Sequence, residues 1–286
     1  MNIQAALAHG TDTLTGCSYS PRVDAKRLLS HILRREPAYF VAFGDQVLGQ
    51  AEENQYRQWL ARRKHGEPIA YLTGRQGFWS LDLVVGPSVL IPRPETEVLV
   101  EAALRMMPAA RARVLDLGTG SGAVALALAK ERPQWEVVAT DFSEAALEIA
   151  RANRDRLGLK RVKILQGSWY EPFSEEARFD LVISNPPYVA EGDPHLARGD
   201  LRFEPRSALV SAAAGLDDLR RIVRGAPARL RCAGALLMEH GFDQSEAVIG
   251  LFRRAGFSDV QALKDDAGHF RAVFGVVIQN VFSVTK

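Results

Sequence analysis

The sequence is poor in cysteine, in excess charge and in long apolar runs. Its only cysteines, Cys17 and Cys232, fit neither a zinc-ligand spacing nor a disulfide framework, so we expect no metal site. Lys and Arg number 36 and Asp and Glu number 34, and this balance excludes a chain whose whole surface binds nucleic acid. No apolar run approaches the ~20 residues of a membrane span. The first residues lack the pattern of a signal peptide. We therefore expect a cytoplasmic protein without a membrane partner.

Helical patterns fill the first 70 or so residues. Ser20 and Pro21 indicate a helix start, after which apolar residues recur at helical spacing. Beyond Gly66 the apolar residues alternate instead, which predicts a β-hairpin that begins near Phe78 and returns through 89–91. We predict three parts: a helical domain at 1–72, a hairpin linker at 73–92 and a larger domain at 93–286.

From Arg113 onward, short apolar strands alternate with helices. This alternation is typical of βαβ units and predicts an α/β domain whose parallel sheet is covered by helices on both faces. We expect the last two strands, at 260–263 and 272–278, to form a closing antiparallel pair. The preceding strands are predicted at 114–117, 137–140, 162–165, 181–184 and 235–238.

A glycine-rich loop, Asp116–Gly122, lies between a predicted strand and the next helix. Ligands of open α/β sheets bind at the carboxyl ends of strands, where glycines permit a sharp turn and a close backbone approach. Asp141 ends the following strand, and an acidic side chain there can accept both hydroxyls of a ribose. The loop predicts a nucleotide-type site and leaves NAD and S-adenosylmethionine both open.

The segment Asn185-Pro-Pro-Tyr188 ends another apolar strand. Two prolines stop the strand and make a stiff corner. There the Asn185 side-chain oxygen and the Pro186 carbonyl can accept both hydrogens of one planar NH₂ group, and Tyr188 can lie flat against it. Such a corner orients a weakly nucleophilic amide or arylamine nitrogen for attack on a sulfonium methyl group.

Together these motifs resemble the class I, seven-stranded S-adenosylmethionine-dependent methyltransferases that modify planar NH₂ groups. Within that class, Ile91-Pro-Arg-Pro-Glu-Thr-Glu97 makes the chain similar to the release factor glutamine methyltransferases. So do Ala70-Tyr-Leu-Thr-Gly74, Phe78-Trp-Ser-Leu81 and Phe203-Glu-Pro205. The resemblance implies a Rossmann-like domain of seven strands, with a small N-terminal helical domain joined to it by the hairpin.

The resemblance also implies a reaction, methylation of the glutamine side-chain amide in the Gly-Gly-Gln motif of class I peptide chain release factors. A lone glutamine is too small to select one protein among many, so we expect the N-terminal helical domain, with the hairpin, to form one wall of a groove that recognises the folded release factor. We expect a monomer that needs no nucleic acid. Arg93 and Glu95 are candidates for organising the pocket entrance. The implied site consists of a catalytic Asn185, cofactor-binding Gly118, Thr119, Gly120, Ser121, Gly122, Asp141, Trp169 and Asn185, and substrate-binding Asn185, Pro186, Pro187 and Tyr188.

Three alternatives are weaker on the sequence. A DNA adenine-N6 methyltransferase would use the same Asn185 segment, but it must flip a base and hold phosphates, and no dedicated basic domain is evident. An NAD(P)-dependent oxidoreductase explains Gly118 to Asp141 and leaves the Asn185 segment without a role. A binding module without catalysis has no need for Asn185 at all.

Overall fold

The computed structural model describes residues 1–277 and divides them into two compact units. The helical unit comprises Met1–Arg75 and Pro194–Phe203, and the sheet unit comprises Gln76–Asp193 and the chain from Glu204 onward. The division differs from the predicted one in two places. The hairpin belongs to the sheet unit instead of forming a separate linker, and the short segment Pro194–Phe203 belongs to the helical unit.

Five helices with one shared core form the helical unit. Leu28, Tyr56 and Leu60 are among the fully enclosed side chains of that core. Proline at the first turn begins α2 as predicted, although the Ser20 side chain makes no capping hydrogen bond. The helices are α1 (Ile3–Leu14), α2 (Pro21–Leu33), α3 (Pro37–Ala42), α4 (Gln50–Lys64) and α5 (Ile69–Thr73).

An ion-pair cluster joins Pro194–Phe203 to the helical unit. Arg63 of α4 donates from Nε to Asp24 Oδ2 at 2.8 Å and from Nη1 to Asp200 Oδ1 at 2.7 Å. Asp200 lies in one of two short 3₁₀ turns, Pro194–Ala197 and Gly199–Phe203. The Arg63 and Asp24 side chains are largely buried. Burial of the two charges costs free energy, which their short, well-formed hydrogen bonds must offset.

The sheet unit begins with a two-stranded hairpin and continues through alternating strands and helices. The predicted return strand at 89–91 is wrong, because the hairpin is made by β1 and β2 alone and the Ile91 N–H donates to the Glu204 side chain at 3.0 Å. The strands are β1 (Arg75–Phe78), β2 (Leu81–Val84), β3 (Arg113–Leu117), β4 (Glu136–Asp141), β5 (Lys163–Gln166), β6 (Phe179–Ser184), β7 (Val189–Ala190), β8 (Val210–Ser211), β9 (Leu230–Glu239), β10 (Phe257–Lys264) and β11 (Phe270–Val277). The helices are α6 (Glu97–Met106), α7 (Ala123–Glu131), α8 (Glu144–Arg156), α9 (Arg206–Leu209), α10 (Ala212–Gly215), α11 (Asp217–Gly225) and α12 (Ser245–Arg254), with 3₁₀ turns at Pro94–Thr96 and Ala226–Ala228.

The central sheet has seven strands in the order β10-β11-β9-β6-β3-β4-β5. Strands β9, β6, β3, β4 and β5 are parallel, whereas β11 is antiparallel to both of its neighbours. The predicted α/β class, the seven strands and the closing antiparallel pair are therefore confirmed. Ile278, the last residue of the predicted final strand, lies outside the described residues.

The sheet is buried on both faces. Side chains alternate between the faces of a strand, so Leu181 and Ile183 of β6 enter one core while Val182 enters the other. The first core also contains apolar side chains of the hairpin and of α6 and α7, and the second contains those of α11 and α12. This arrangement explains why the strands are nearly continuous apolar runs.

Candidate active site

The carboxyl ends of three neighbouring parallel strands form the site. The glycine loop follows β3, Asp141 ends β4 and Asn185 follows β6. The chain runs outward from β3 to β5 and then returns to β6 on the other side of β3, which makes this edge a topological switch point. The Ser184 hydroxyl donates to the Leu117 carbonyl at 2.7 Å and fixes the end of β6 against the end of β3.

Three glycines of the glycine loop have a backbone conformation that other residues rarely adopt. Gly118, Gly120 and Gly122 have φ angles of +69°, +56° and +84°, in the left-handed region that other residues rarely adopt. A Cβ on Gly118 would lie 3.4 Å from the Trp169 ring, so that ring lies directly beside the loop. Thr119 ties the loop to β3 through a 2.6 Å hydrogen bond from its hydroxyl to Asp116 Oδ2.

Asp141 connects the loop to the next strand. Its Oδ2 accepts the Gly120 N–H at 2.9 Å and its Oδ1 accepts the Ser143 N–H at 3.0 Å. Burial raises the pKa of Asp141, and these backbone donors oppose that shift. Each carboxylate oxygen has one backbone partner and so retains a lone pair that can accept a further hydrogen bond.

Asp116 is a buried acid that the sequence reasoning did not select. Burial raises the pKa of Asp116 to about 7, and the Thr119 hydroxyl partly opposes this shift. The residue lies at the floor of the glycine loop and lines the same cleft as Asp141. An acidic residue between Leu115 and Leu117 of β3 was the signal that could have identified it.

The side-chain amide of Asn185 is held in one orientation. Its Nδ2 donates to the Thr96 hydroxyl oxygen at 3.0 Å, and Thr96 itself is buried. Because the nitrogen is engaged, Oδ1 is the group that Asn185 can offer as an acceptor. Thr96 belongs to the segment Ile91–Glu97, whose residues had suggested the family without suggesting this contact.

A single cleft of about 220 Å³ brings most of the predicted site residues together. Arg93, Thr96 and the exposed ring of Phe142 also line it, and Glu95 does not. Gly122, Pro186 and Tyr188 are absent from its wall; Gly122 lies behind the loop as the N-cap of α7. The predicted residues that line the cleft are Gly118, Thr119, Gly120, Ser121, Asp141, Trp169, Asn185 and Pro187.

Tyr188 is anchored behind the cleft. Its hydroxyl donates to Glu239 Oε1 at 3.0 Å, and its carbonyl oxygen accepts the Gln244 side-chain N–H at 3.0 Å. Burial, followed by the nearby Glu239 carboxylate, raises the pKa of Tyr188 far above its ordinary value. The Tyr188 ring packs against the second core of the sheet unit.

Gly215 provides a direct test of how firmly this backbone is held. A Cβ on Gly215 would overlap the Tyr188 carbonyl oxygen, and φ at Gly215 is +81°. We expect Gly215→Ala to displace the Asn185–Tyr188 corner and to lower kcat about tenfold or more, since small displacements from the reactive geometry are costly. Measured turnover checks this, with Gly74→Ala as the control, because Gly74 also has a positive φ but open space at its Cβ position. Equal losses in both variants would contradict a specific role for this contact.

Partly exposed Arg93 and buried Glu204 form an ion pair at the edge of the cleft. The Arg93 guanidinium contacts Glu204 Oε1, and the Ile91 N–H occupies Oε2. Glu204 thus links Phe203-Glu-Pro205 to Ile91–Glu97, two segments that lie more than 100 residues apart in the sequence. Nothing in their spacing could have shown that they meet.

Residues 1–277 contain no group of three or more His, Cys, Asp or Glu placed to hold a metal ion. None of the helices in this range is both long enough and apolar enough to cross a membrane.

This chain matches known protein families in sequence and known methyltransferase structures in fold. Residues 94–200 match the methyltransferase small domain family and residues 5–74 match the PrmC N-terminal domain family. The catalytic domain of hMettl16 has a similar fold, with a TM-score of 0.58 and 15% identity, over 90% of this chain and 93% of that one. A 16S rRNA methyltransferase from T. thermophilus in complex with AdoMet gives a TM-score of 0.53 at 24% identity, over 71% and 49%.

Sequence relatives are much closer. The release factor glutamine methyltransferase of Vibrio cholerae is 46% identical over 276 residues, which are 96% of this chain and 96% of the relative. The protein of that name from Salmonella typhimurium is 49% identical over 90% of this chain and 93% of its own length. The Xylella fastidiosa protein is 51% identical over 89% and 92%. Full-length similarity of this degree, together with a cleft that joins the glycine loop to Asn185, shows that the chain belongs to the release factor glutamine methyltransferase family.

Proposed function

We propose that this protein transfers a methyl group from S-adenosylmethionine to the side-chain amide nitrogen of the glutamine in the Gly-Gly-Gln motif of class I release factors. The observation that carries the proposal is the single cleft that contains the glycine loop, Asp141 and Asn185. Family membership supports the same reaction and gives no support to a DNA adenine methyltransferase.

The residues around the glycine loop fit the cofactor. Asp141 would accept the ribose hydroxyls through the free lone pairs of its two oxygens, while Gly118–Ser121 would hold the methionine end. Trp169 and the exposed Phe142 flank the cleft as aromatic surfaces suited to an adenine ring. When bound, S-adenosylmethionine supplies an electrophilic methyl group on a sulfonium. The positive φ angles at Gly118 and Gly120 fit a cradle that a ligand approaches closely.

Asn185 and Pro186 would orient the substrate. The lone pair of an amide nitrogen is delocalised, so the nitrogen is a poor nucleophile and benefits from fixed hydrogen-bond acceptors. Asn185 Oδ1 would accept one N–H of the glutamine. The Pro186 carbonyl, predicted to accept the other, belongs to a residue that does not line the cleft, so the role of Pro186 stays a prediction. The Thr96 contact supports this role because it keeps Nδ2 engaged and Oδ1 available.

Competing substrates test the proposed reaction class. The full-length protein is incubated with S-adenosylmethionine carrying a labelled methyl group, a purified class I release factor and duplex DNA containing adenine. We expect label in the release factor and none in DNA. Label in DNA alone would overturn the proposal in favour of a DNA adenine methyltransferase.

The helical unit would recognise the folded release factor. Five large apolar side chains of this unit are exposed, among them Val41 at 86% and Tyr19, which is fully exposed. Exposed apolar side chains can contribute to protein interaction surfaces, and four others, among them Phe142 and Phe242, lie in the sheet unit. Binding through a surface also gives selectivity that a lone glutamine cannot provide. Whether the protein acts as a monomer stays a prediction.

A charge on this surface should weaken recognition selectively. We expect Val41→Asp to raise KM for the folded release factor about tenfold, the cost of about 1.4 kcal/mol that one interface side chain commonly carries. Steady-state kinetics with the release factor measures this, and a short Gly-Gly-Gln peptide serves as the control substrate, whose KM should not change. An unchanged KM for the folded release factor would remove Val41 from the recognition surface.

A further inference from the structure

Glu204 is a buried acid that the mechanism above does not use. Its side chain has no exposed surface. Oε1 contacts the Arg93 guanidinium, and Oε2 accepts the Ile91 N–H at 3.0 Å. Burying a carboxylate is costly unless charge pairing and hydrogen bonds compensate for it. Because a well-packed apolar residue is often as stabilising as a buried ion pair, stability alone does not account for this carboxylate.

The Glu204 carboxylate connects two walls of the cleft. Its partner Arg93 belongs to one wall, which also contains Thr96. The other wall contains Pro205, the residue that follows Glu204, and Ala208. Arg93 and Glu204 are 111 positions apart in the chain, so their contact ties together two walls that the sequence does not bring near each other.

The wall that Glu204 holds leads directly to Asn185. The Arg93 carbonyl oxygen accepts the Thr96 N–H at 3.1 Å, and this hydrogen bond closes the 3₁₀ turn Pro94–Thr96. The Thr96 hydroxyl oxygen accepts from Asn185 Nδ2 at 3.0 Å. The position of this turn therefore decides where the group that holds the Asn185 amide lies.

The stretch between these contacts is stiff. Two prolines flank Arg93, and each proline ring fixes its own φ angle. Glu204 holds the stretch at its start through the Ile91 N–H and in its middle through the Arg93 guanidinium. Because few free backbone rotations are left, these two contacts fix the position of Thr96.

We propose that Glu204 is a positioning residue that holds the turn carrying Thr96 against the opposite wall of the cleft and thereby fixes the Asn185 amide. This inference rests on the proposed function, in which Asn185 Oδ1 accepts from the substrate amide. Glu204 does not line the cleft and so acts through other residues. Loosening its contacts should slow methyl transfer and leave the glycine loop and Asp141, which bind the cofactor, in place.

Glu204→Gln keeps the shape of the side chain and removes one acceptor. A glutamine presents an NH₂ donor to either the Ile91 N–H or the Arg93 guanidinium, and two facing donors repel each other. One of the two contacts must therefore open, and the wall that it holds shifts. We expect kcat to fall about tenfold, with KM for S-adenosylmethionine changed less than about threefold.

Asp180→Asn is the matched control. The Asp180 carboxylate also pairs with one backbone N–H, that of Arg113 at 2.6 Å, and with one guanidinium, that of Arg231 at 2.8 Å. Asp180 lies at the opposite end of β6 from Asn185, so the same replacement should leave kcat within about twofold. An equal loss of kcat in both variants would overturn the specific role of Glu204.

A double variant tests the connection through Thr96. In a Thr96→Val background, Glu204→Gln should change kcat less than about twofold, because the hydroxyl that holds Asn185 is already gone. A full second loss would show that Glu204 acts by another route and would overturn the inference. If Glu204→Gln does not fold, Glu204→Asp retains the charge but is too short to reach both partners, and it should show the same fall in kcat.

A spectroscopic readout does not depend on the proposed function. The side-chain NH₂ signals of Asn185, assigned by their loss in Asn185→Ala, should shift in ¹⁵N spectra of Glu204→Gln and stay in place in Asp180→Asn. Failure of the wild-type protein to methylate a release factor would defeat the proposed function alone. Unchanged Asn185 signals, or an unchanged kcat in a folded Glu204→Gln or Glu204→Asp enzyme, would overturn the role of Glu204.

Discussion

Asn185→Ala is expected to lower kcat about 10²- to 10³-fold. The substitution removes the acceptor that orients the substrate amide, and fixed polar groups at a reacting centre commonly contribute this much. It also leaves the Thr96 hydroxyl without the Asn185 amide, a local change beside the cleft. Single-turnover kinetics with a release factor isolate the methyl-transfer step from product release.

Two controls separate chemistry from folding in this variant. The melting temperature should stay within a few degrees of the wild type, since Asn185 is only half-buried at the cleft. The Kd for S-adenosylmethionine should change far less than kcat, because Asp141 and the glycine loop remain. A variant that retains full turnover would remove Asn185 from the catalytic centre.

Asp141→Ala is expected to weaken S-adenosylmethionine binding about 10²- to 10⁴-fold. Two charge-assisted hydrogen bonds to the ribose would be lost, at about 1.5–3 kcal/mol each. The loss also frees the Gly120 N–H and the Ser143 N–H, which the carboxylate now holds at 2.9 and 3.0 Å. Isothermal titration calorimetry with S-adenosylmethionine measures the change directly.

Asp141→Asn is the informative companion variant. It preserves the side-chain shape and one acceptor oxygen but replaces the second oxygen by a donor, which cannot accept either a ribose hydroxyl or a backbone N–H. We expect an intermediate loss of affinity. Wild-type affinity in both variants would place the cofactor somewhere other than over Asp141.

Much of the sheet unit was predictable from local pattern. Apolar strands that alternate with helices specify a parallel sheet, and the ends of β3, β4 and β6 then have to meet at one edge. Asp141 and Asn185 were found for this reason, because each directly marks the end of a strand. The helix that follows Asp141 is capped by Ser143, whose hydroxyl accepts the Ala146 N–H at 3.3 Å.

The features that escaped prediction depend on contacts between distant positions. Pro194–Phe203 has no helical or strand period, and its place with the helical unit follows from Arg63 binding Asp200. The prediction of a return strand at 89–91 was wrong. The Ile91 N–H, which would donate to a neighbouring strand in a β-hairpin, donates to the Glu204 side chain instead. Thr96 and Glu239 lie far apart in the chain, and only the folded sheet brings both to the Asn185–Tyr188 corner.

The most direct test of the central claim is tandem mass spectrometry of a purified class I release factor after incubation with the full-length protein and S-adenosylmethionine. The account predicts one methyl group on the side-chain amide nitrogen of the Gly-Gly-Gln glutamine, absent when Asn185→Ala replaces the wild type. A methyl group at another residue, or an unmodified glutamine in the presence of bound cofactor, would contradict it.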